Sequence, residues 1–208
     1  MLDFETILLF ITASTLLALA PGPDNIFVLT QSMIKGAKPG IFVTLGLCSG
    51  LVFHTTAVAL GVAAIFQTSV LAFNILKFVG AGYLLYLAYM SFMSSSKSKV
   101  EANKENLSLT KLYKRGIIMN ITNPKVSIFF LAFLPQFTNP SSGSVTIQIF
   151  ALGAIFMFCA LVVFSSIALV AGKLGNWFNR SENAENILNK VAGTVFAGLA
   201  LKLATSER

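Results

Sequence analysis

The chain has 208 residues, of which 55% are hydrophobic and only 11% are charged. Soluble domains carry about 25% charged residues, so this composition, with a mean hydropathy of +0.78, excludes an ordinary soluble protein. The net charge of +7 would suggest nucleic acid in a soluble protein, but here the basic residues lie in a few short connections between apolar runs, and no nucleic-acid partner is expected. The sequence predicts an all-α polytopic membrane protein.

Six apolar runs match the length of about 20 residues that one helix needs to cross a bilayer. They predict membrane spans at residues 6–33, 40–66, 70–93, 116–137, 145–172 and 187–204, within a single transmembrane domain over residues 1–208. The connection 94–115 is rich in Ser, Lys and Asn and is predicted to be a hydrophilic linker. It divides the chain into a first repeat, about residues 1–93, and a second, about residues 116–208.

The basic residues predict how these spans are oriented. They fall in alternate connections, whereas the connections 67–69 and 138–144 contain no charged residue. By the positive-inside rule the basic connections, including the linker 94–115, belong in the cytoplasm and both termini lie outside. Two halves of three spans must then cross the membrane in opposite senses, which is an inverted repeat. The basic residues concerned are Lys35, Lys38, Lys97, Lys99, Lys104, Lys111, Lys114, Arg115, Lys173, Arg180 and Lys190.

Span one is interrupted by two prolines that flank a glycine and are followed by an acid and an amide. A proline ring removes a backbone donor and clashes with the preceding turn, so the helix is predicted to open here. The break would expose an ionisable side chain in surroundings that should be hydrocarbon, which is the mark of a functional site in a membrane protein. The residues are Pro21, Gly22, Pro23, Asp24 and Asn25.

Glycines along the entry and body of span two predict close packing of this helix against its neighbours. His54 follows Gly50 on the same face. It could carry a proton near neutral pH, or it could be a hydrogen-bonding spacer in a tight helix contact. Lys77 in span three could likewise have a proton or gating role, or its long side chain could simply reach the lipid headgroups. The glycines are Gly36, Gly40, Gly46, Gly50 and Gly61.

Span four is interrupted by Asn123, Pro124 and Lys125. Counted from the cytoplasmic ends of their spans, Asp24 lies about nine residues deep and Lys125 about nine or ten, or roughly 14 Å at the helical rise. The two breaks are therefore predicted to meet near the middle of the membrane. Four aromatic residues that follow are expected to serve packing and lipid contact, namely Phe129, Phe130, Phe133 and Phe137.

An acid and a base at two facing helix breaks suit a small zwitterion. We expect the Asp24 carboxylate to hold an ammonium group and Lys125 to hold a carboxylate, with help from the amides of Asn25 and Asn123 and from the helix ends. The alternative is that Asp24 and Lys125 only pair with each other and lock the two halves together.

Other chemistries find less support in the sequence. Ser49 and His54 lie about 140° apart around one helix, so they cannot act as nucleophile and base, and no enzyme activity is predicted. Cys48 and Cys159 lie outside any Cys-x-x-Cys motif, which disfavours a thiol-disulfide electron transporter of similar layout. A metal or ion exporter is also disfavoured, because one carboxylate, one His and separated thiols make a poor ligand set, and no metal or cofactor is expected.

Two further stretches join these breaks in a family resemblance: residues 133–137, which read Phe-Leu-Pro-Gln-Phe, and residues 76–86 of span three. With the breaks at 21–25 and 123–125 and the glycine-rich entry 36–54, the chain resembles the LysE/RhtB family of amino-acid exporters over nearly its whole length. The resemblance implies export of small amino acids or analogues, of the homoserine, threonine, leucine or lysine type, across a bacterial inner membrane. It also implies a proton gradient as the driving force and no bound cofactor. The sequence leaves monomer and homodimer open.

Overall fold

A computed structural model of the chain describes residues 2–68, 70–93, 107–178, 190, 193–194, 196–201 and 204–205. Every regular element within these residues is helical, and they include no strand, so the predicted all-α class is confirmed for this part of the chain. The predicted sixth span, 187–204, and the linker 94–115 lie partly outside the described residues. The helices are α1 (Phe4–Leu19), α2 (Pro23–Lys35), α3 (Ala37–Thr68), α4 (Val70–Met93), α5 (Leu109–Ile121), α6 (Pro124–Ile128) and α7 (Val145–Phe178).

Two single helices in the described residues are long and apolar enough to cross a membrane. They are α3 over Ala37–Gly61 and α7 over Val145–Lys173, with mean hydropathies of 1.8 and 2.6. Two pairs of consecutive helices meet the same requirement if each bent pair is counted as one span. They are α1 with α2, and α5 with the segment Pro124–Phe137, and they bring the number of candidate spans in this part of the chain to at most four. The arrangement of six spans as an inverted repeat stays a prediction.

The two bent pairs lie where the prolines predict them. The α1 helix ends at Leu19 and α2 begins at Pro23, with a bend of 59° between them. The α5 helix ends at Ile121, and the segment that begins at Pro124 bends away by 49°. Each proline occupies the first position of the new helix, where the N–H that proline lacks would have had no helical partner. The helix is interrupted at both places, as predicted, whereas the assignment of each bent pair to one span stays a prediction.

The start of the fourth predicted span was wrong by two helical turns. The α5 helix begins at Leu109, so residues 109–115 of the predicted linker are helical. Ser108 caps this helix by accepting a hydrogen bond from the Lys111 backbone at 3.4 Å. Leu112 is fully buried although its neighbour Lys111 is exposed. A search for uncharged runs misses such a turn, because the turn is amphipathic: one face is buried and the charged residues lie on the other.

The α3 helix packs along both α5 and α7. At its contact with α5, Gly46 and Gly116 face each other, and a Cβ added to Gly46 would collide with the Tyr113 carbonyl oxygen. The predicted close packing of span two is thus confirmed at this position. Gly36 has a different role, because it forms the one-residue turn between α2 and α3 with a φ of 86°, which favours glycine.

Replacing Gly46 with Ala should therefore destabilise the fold. The added methyl group meets backbone, which cannot move aside as a side chain can, and overpacking of this kind costs about 1–3 kcal/mol. Gly82→Ala is the matched control, because a Cβ there meets nothing within 4 Å and should be neutral or slightly stabilising. Unfolding of both variants in detergent micelles would measure the difference, and equal stability would contradict the packing role of Gly46.

A cluster of phenylalanine rings holds the second break against α1 and α7. The helical hydrogen bonding widens to a π-helical turn at Phe129–Phe133 and tightens to a 3₁₀ turn at Leu134–Phe137. Phe10 of α1 lies 5.0 Å from Phe137, and Phe156 of α7 lies 5.1 Å from Phe129, measured between ring centroids. Because the four aromatic residues after Lys125 are buried, they serve packing inside the protein, as predicted, but not the lipid contact that was also expected.

Candidate functional site

The two breaks meet inside the protein, as the depth of Asp24 and Lys125 predicted. Lys125 donates from Nζ to the carbonyl oxygens of Ala20 at 2.9 Å and Leu17 at 3.3 Å. In an unbroken helix the Leu17 carbonyl would accept from residue 21, but that residue is Pro21 and has no N–H. A cation from the second break therefore supplies a donor that the first break has lost.

The second break receives the same kind of help from the first half of the chain. The Asn120 carbonyl would accept from residue 124, which is Pro124 and again has no N–H, and it accepts from the Asn123 N–H at 3.1 Å instead. His54 of α3 lies with Nε2 at 3.1 Å from this oxygen, so its ring donates from Nε2. His54 is buried, with Phe130 at 5.7 Å between ring centroids. Each proline break is thus completed by a titratable side chain from the opposite half.

Two residues of the first break shape the end of α1. Asn25 donates from Nδ2 to the Ala18 carbonyl oxygen at 2.6 Å, which ties α2 back to α1 across the bend. The backbone of Gly22 is extended, a conformation that any residue can adopt, so what matters at this position is the absence of a side chain. A Cβ at Gly22 would lie 3.1 Å from the Lys125 Nζ, and the glycine therefore leaves room for the ammonium group.

Asp24 lies beside this arrangement with a carboxylate that is only half satisfied. The residue is 1% exposed, and its Oδ2 accepts from the Asn120 Nδ2 at 3.2 Å. Its Oδ1 has no hydrogen-bond partner. Among the described residues, no ion pair within 4.0 Å joins Asp24 to Lys125, whose contacts are the carbonyl oxygens of α1. The structure therefore lacks the direct pair that would only lock the halves together.

Unpartnered polar atoms collect at the two breaks. The acceptors are Asp24 Oδ1, Asn25 Oδ1 and Asn120 Oδ1, and the donor is Asn123 Nδ2. A buried polar atom without a partner costs about 1–3 kcal/mol, so such a set is unusual unless something else satisfies it. A small ligand that offers both N–H donors and acceptor oxygens would do so.

Asn120 is the functional candidate that the sequence prediction missed. It is 1% exposed and contacts Asp24 through its side chain and His54 through its carbonyl. Gly50 of α3 lies directly against its carboxamide, where a Cβ would come within 2.7 Å of Oδ1. One signal was available, namely an amide in an apolar helix four residues before a proline.

A small cavity lies between the breaks. Its volume is about 10 Å³, which is room for one water molecule and far too little for an amino acid. In this conformation the described residues therefore leave no room for an amino acid at the site. Three polar residues and seven apolar ones line the cavity: Asp24, Asn120, Lys125, Leu17, Ala18, Leu51, Val126, Phe156, Ala160 and Phe164.

Lys77 does not line this cavity. It is buried on α4, with Nζ 4.9 Å from the centroid of the Phe78 ring, a distance at which a cation and an aromatic face attract each other. The structure thus brings Asp24, His54 and Lys125 together around Asn120, while Lys77 has an aromatic neighbour on its own helix.

The thiols and acids do not form an alternative centre in the described part of the chain. Cys48 and Cys159 are both free and buried, and the Cys48 Sγ lies 4.0 Å from the Met157 carbonyl oxygen of α7. Within the same residues, no group of three or more His, Cys, Asp or Glu side chains is placed to hold a metal ion.

Comparison with known proteins gives one consistent result. Residues 15–207 match the family model described as LysE type translocator. The chain is 31% identical to a homoserine/homoserine lactone efflux protein of Salmonella typhimurium over 206 residues, which cover 99% of each chain. It is 27% identical to a leucine efflux protein of Salmonella choleraesuis, over 95% of this chain and 94% of the other. An uncharacterized membrane protein of Vibrio cholerae is 28% identical over 99% of this chain and its own whole length. No solved structure matches.

Proposed function

The chain belongs to the LysE type translocator family, and we propose that it exports small amino acids or their analogues from the bacterial cytoplasm by proton antiport. Membership of this family makes it a membrane transporter and not an enzyme. Two of its relatives are efflux proteins for homoserine or its lactone and for leucine, which supports an amino-acid substrate.

The observation that carries the proposal is the set of unpartnered groups at the facing breaks. The free Oδ1 of Asp24 would accept from the substrate ammonium, because a carboxylate is a strong acceptor for a charged donor. The substrate carboxylate would bind Lys125, whose Nζ has three hydrogens and only two bonded carbonyls. The Asn123 amide, whose Nδ2 has no hydrogen-bond partner, adds a further donor for the same carboxylate.

Proton coupling would follow from competition at Asp24. A carboxylate that binds a proton no longer attracts an ammonium group, so substrate and proton would occupy this residue in turn. His54 would respond to the exchange, because it binds the carbonyl of the same Asn120 whose side chain holds Asp24. In this proposal six spans form two inverted repeats in the inner membrane, with both termini outside, and rocking of the halves exposes the site to each side alternately.

Transport into inverted membrane vesicles tests the proposal. An imposed pH gradient, acidic inside, should drive uptake of at least one amino acid above its equilibrium level in vesicles that contain the protein. A protonophore should abolish that uptake, and vesicles without the protein provide the baseline. Absence of both uptake and counterflow across a panel of amino acids would contradict export.

A further inference from the structure

One face of α7 contributes a stripe of apolar side chains to the cavity. Phe156, Ala160 and Phe164 recur every four residues, so they lie above one another on the same side of the helix. Their exposed fractions are 3%, 1% and 6%, whereas Phe158 and Val162 on another face of α7 are 67% and 49% exposed. The stripe therefore faces the interior at the site.

The stripe has two large rings with a small residue between them. Phe156 and Phe164 are separated by eight residues, or about 12 Å along the helix axis, and Ala160 lies midway. Ala160 places only a methyl group between the two rings. Leu51 of α3 and Leu17 of α1 line the same cavity, so the apolar wall continues onto two other helices.

The charges in the cavity lining are those that a zwitterion already requires. They come from Asp24 and Lys125, and the other lining residues are Asn120 and seven apolar side chains. Among the described lining residues there is no second carboxylate, so a substrate with a second ammonium group would have to bury that charge without an anionic partner, which costs far more than burial of an apolar group.

We propose that Phe156, Ala160 and Phe164 form the subsite for the substrate side chain. The subsite takes uncharged side chains, and Ala160 sets the largest size that it accepts. This inference rests on the proposed export of amino acids and adds the class of amino acid and the residues that select it.

The first test changes the size of the side chain at residue 160. In the vesicle assay, Ala160→Val should lower the ratio of kcat/KM for leucine to that for homoserine by at least about tenfold, because small volume differences in an apolar pocket discriminate on this scale. Ala160→Gly should raise the same ratio. This variant keeps the test possible if the valine variant does not insert into the membrane. Val162→Leu is the matched control, since it also enlarges an α7 side chain but on an exposed face. An unchanged ratio in the inserted Ala160 variants would overturn the proposal.

The second test concerns charge. Lysine should neither be transported by the wild-type protein nor compete with leucine at equal concentration, and transport of lysine as efficient as that of leucine would overturn the proposal. Phe164→Ala should raise KM for leucine about tenfold or more, whereas Phe158→Ala should leave it unchanged. A wild-type protein that transports no amino acid at all would instead contradict the proposed function. Normal export with no response of selectivity to Ala160 or Phe164 would contradict only the subsite.

Discussion

Replacement of Asp24 with Asn should abolish amino-acid export while the protein still inserts and folds. The substitution keeps the size of the side chain and an oxygen that can accept from Asn120, so the packing around it changes little. It removes the negative charge that the proposal assigns to both the substrate ammonium and the proton. Loss of at least about 10³-fold in kcat/KM is expected, which corresponds to about 4 kcal/mol. Vesicle transport, normalised to the amount of inserted protein, measures it.

The same substitution at Asp3 is the control for this prediction. Asp3 is an acid of the same first half, but it only caps α1 by accepting from the Thr6 backbone at 2.7 Å. Asp3→Asn should keep nearly full export, because asparagine is also a good N-cap. Full activity of Asp24→Asn would remove this carboxylate from the mechanism.

Lys125→Met should cause the second large effect, on both stability and export. The variant leaves the carbonyls of Ala20 and Leu17 without their donor, and each hydrogen bond from a charged group contributes about 1.5–3 kcal/mol. It also removes the positive charge expected to bind the substrate carboxylate. We expect unfolding in detergent at clearly milder conditions, and no measurable transport by the fraction that remains folded.

Lys114→Met is the matched control, because Lys114 lies on α5 of the same half with an exposed side chain. Its replacement should leave both measurements close to those of the wild-type protein. If Lys125→Met were as stable as that control, the contacts with the α1 carbonyls would not support the fold. If it also transported normally, the binding role would fail as well.

The sequence predicted the parts of the site that depend on local chemistry. Proline excludes a continuous helix wherever it stands in the interior, so the bends at Pro23 and Pro124 follow from residue type alone. Counting residues from the basic connections then gave similar depths for Asp24 and Lys125, and the structure does bring the two breaks together.

The partners of the charged groups could not be predicted in the same way. Lys125 was expected to meet a carboxylate, yet it binds the carbonyl end of α1, where the helix dipole also attracts a cation. His54 was considered as a proton carrier or a spacer, and its contact with the Asn120 carbonyl depends on how α3 packs against α5. Such contacts arise from tertiary structure, because residues in different helices have no fixed spacing in the sequence.

The role of Asn120 also depends on tertiary contacts that the sequence does not reveal. The position of Asn120 four residues before Pro124 marks it in the sequence, but it does not show that the side chain contacts an acid far away in the chain. Its importance becomes visible only when Asp24, His54 and Gly50 are seen to surround it. The start of α5 at Leu109 was missed for a different reason, since its charged turn is amphipathic and not uniformly apolar.

The small volume of the cavity limits how protons could pass through this site. A space of about 10 Å³ holds one water molecule and cannot hold a continuous file of them. Protons cross membranes along connected waters or relays of ionisable side chains, and the described lining offers two ionisable side chains, Asp24 and Lys125, among one amide and seven apolar residues. In this conformation the cavity itself therefore offers protons no continuous path of water. Under the proposed antiport, the proton gradient would therefore not be discharged through this cavity between transport cycles.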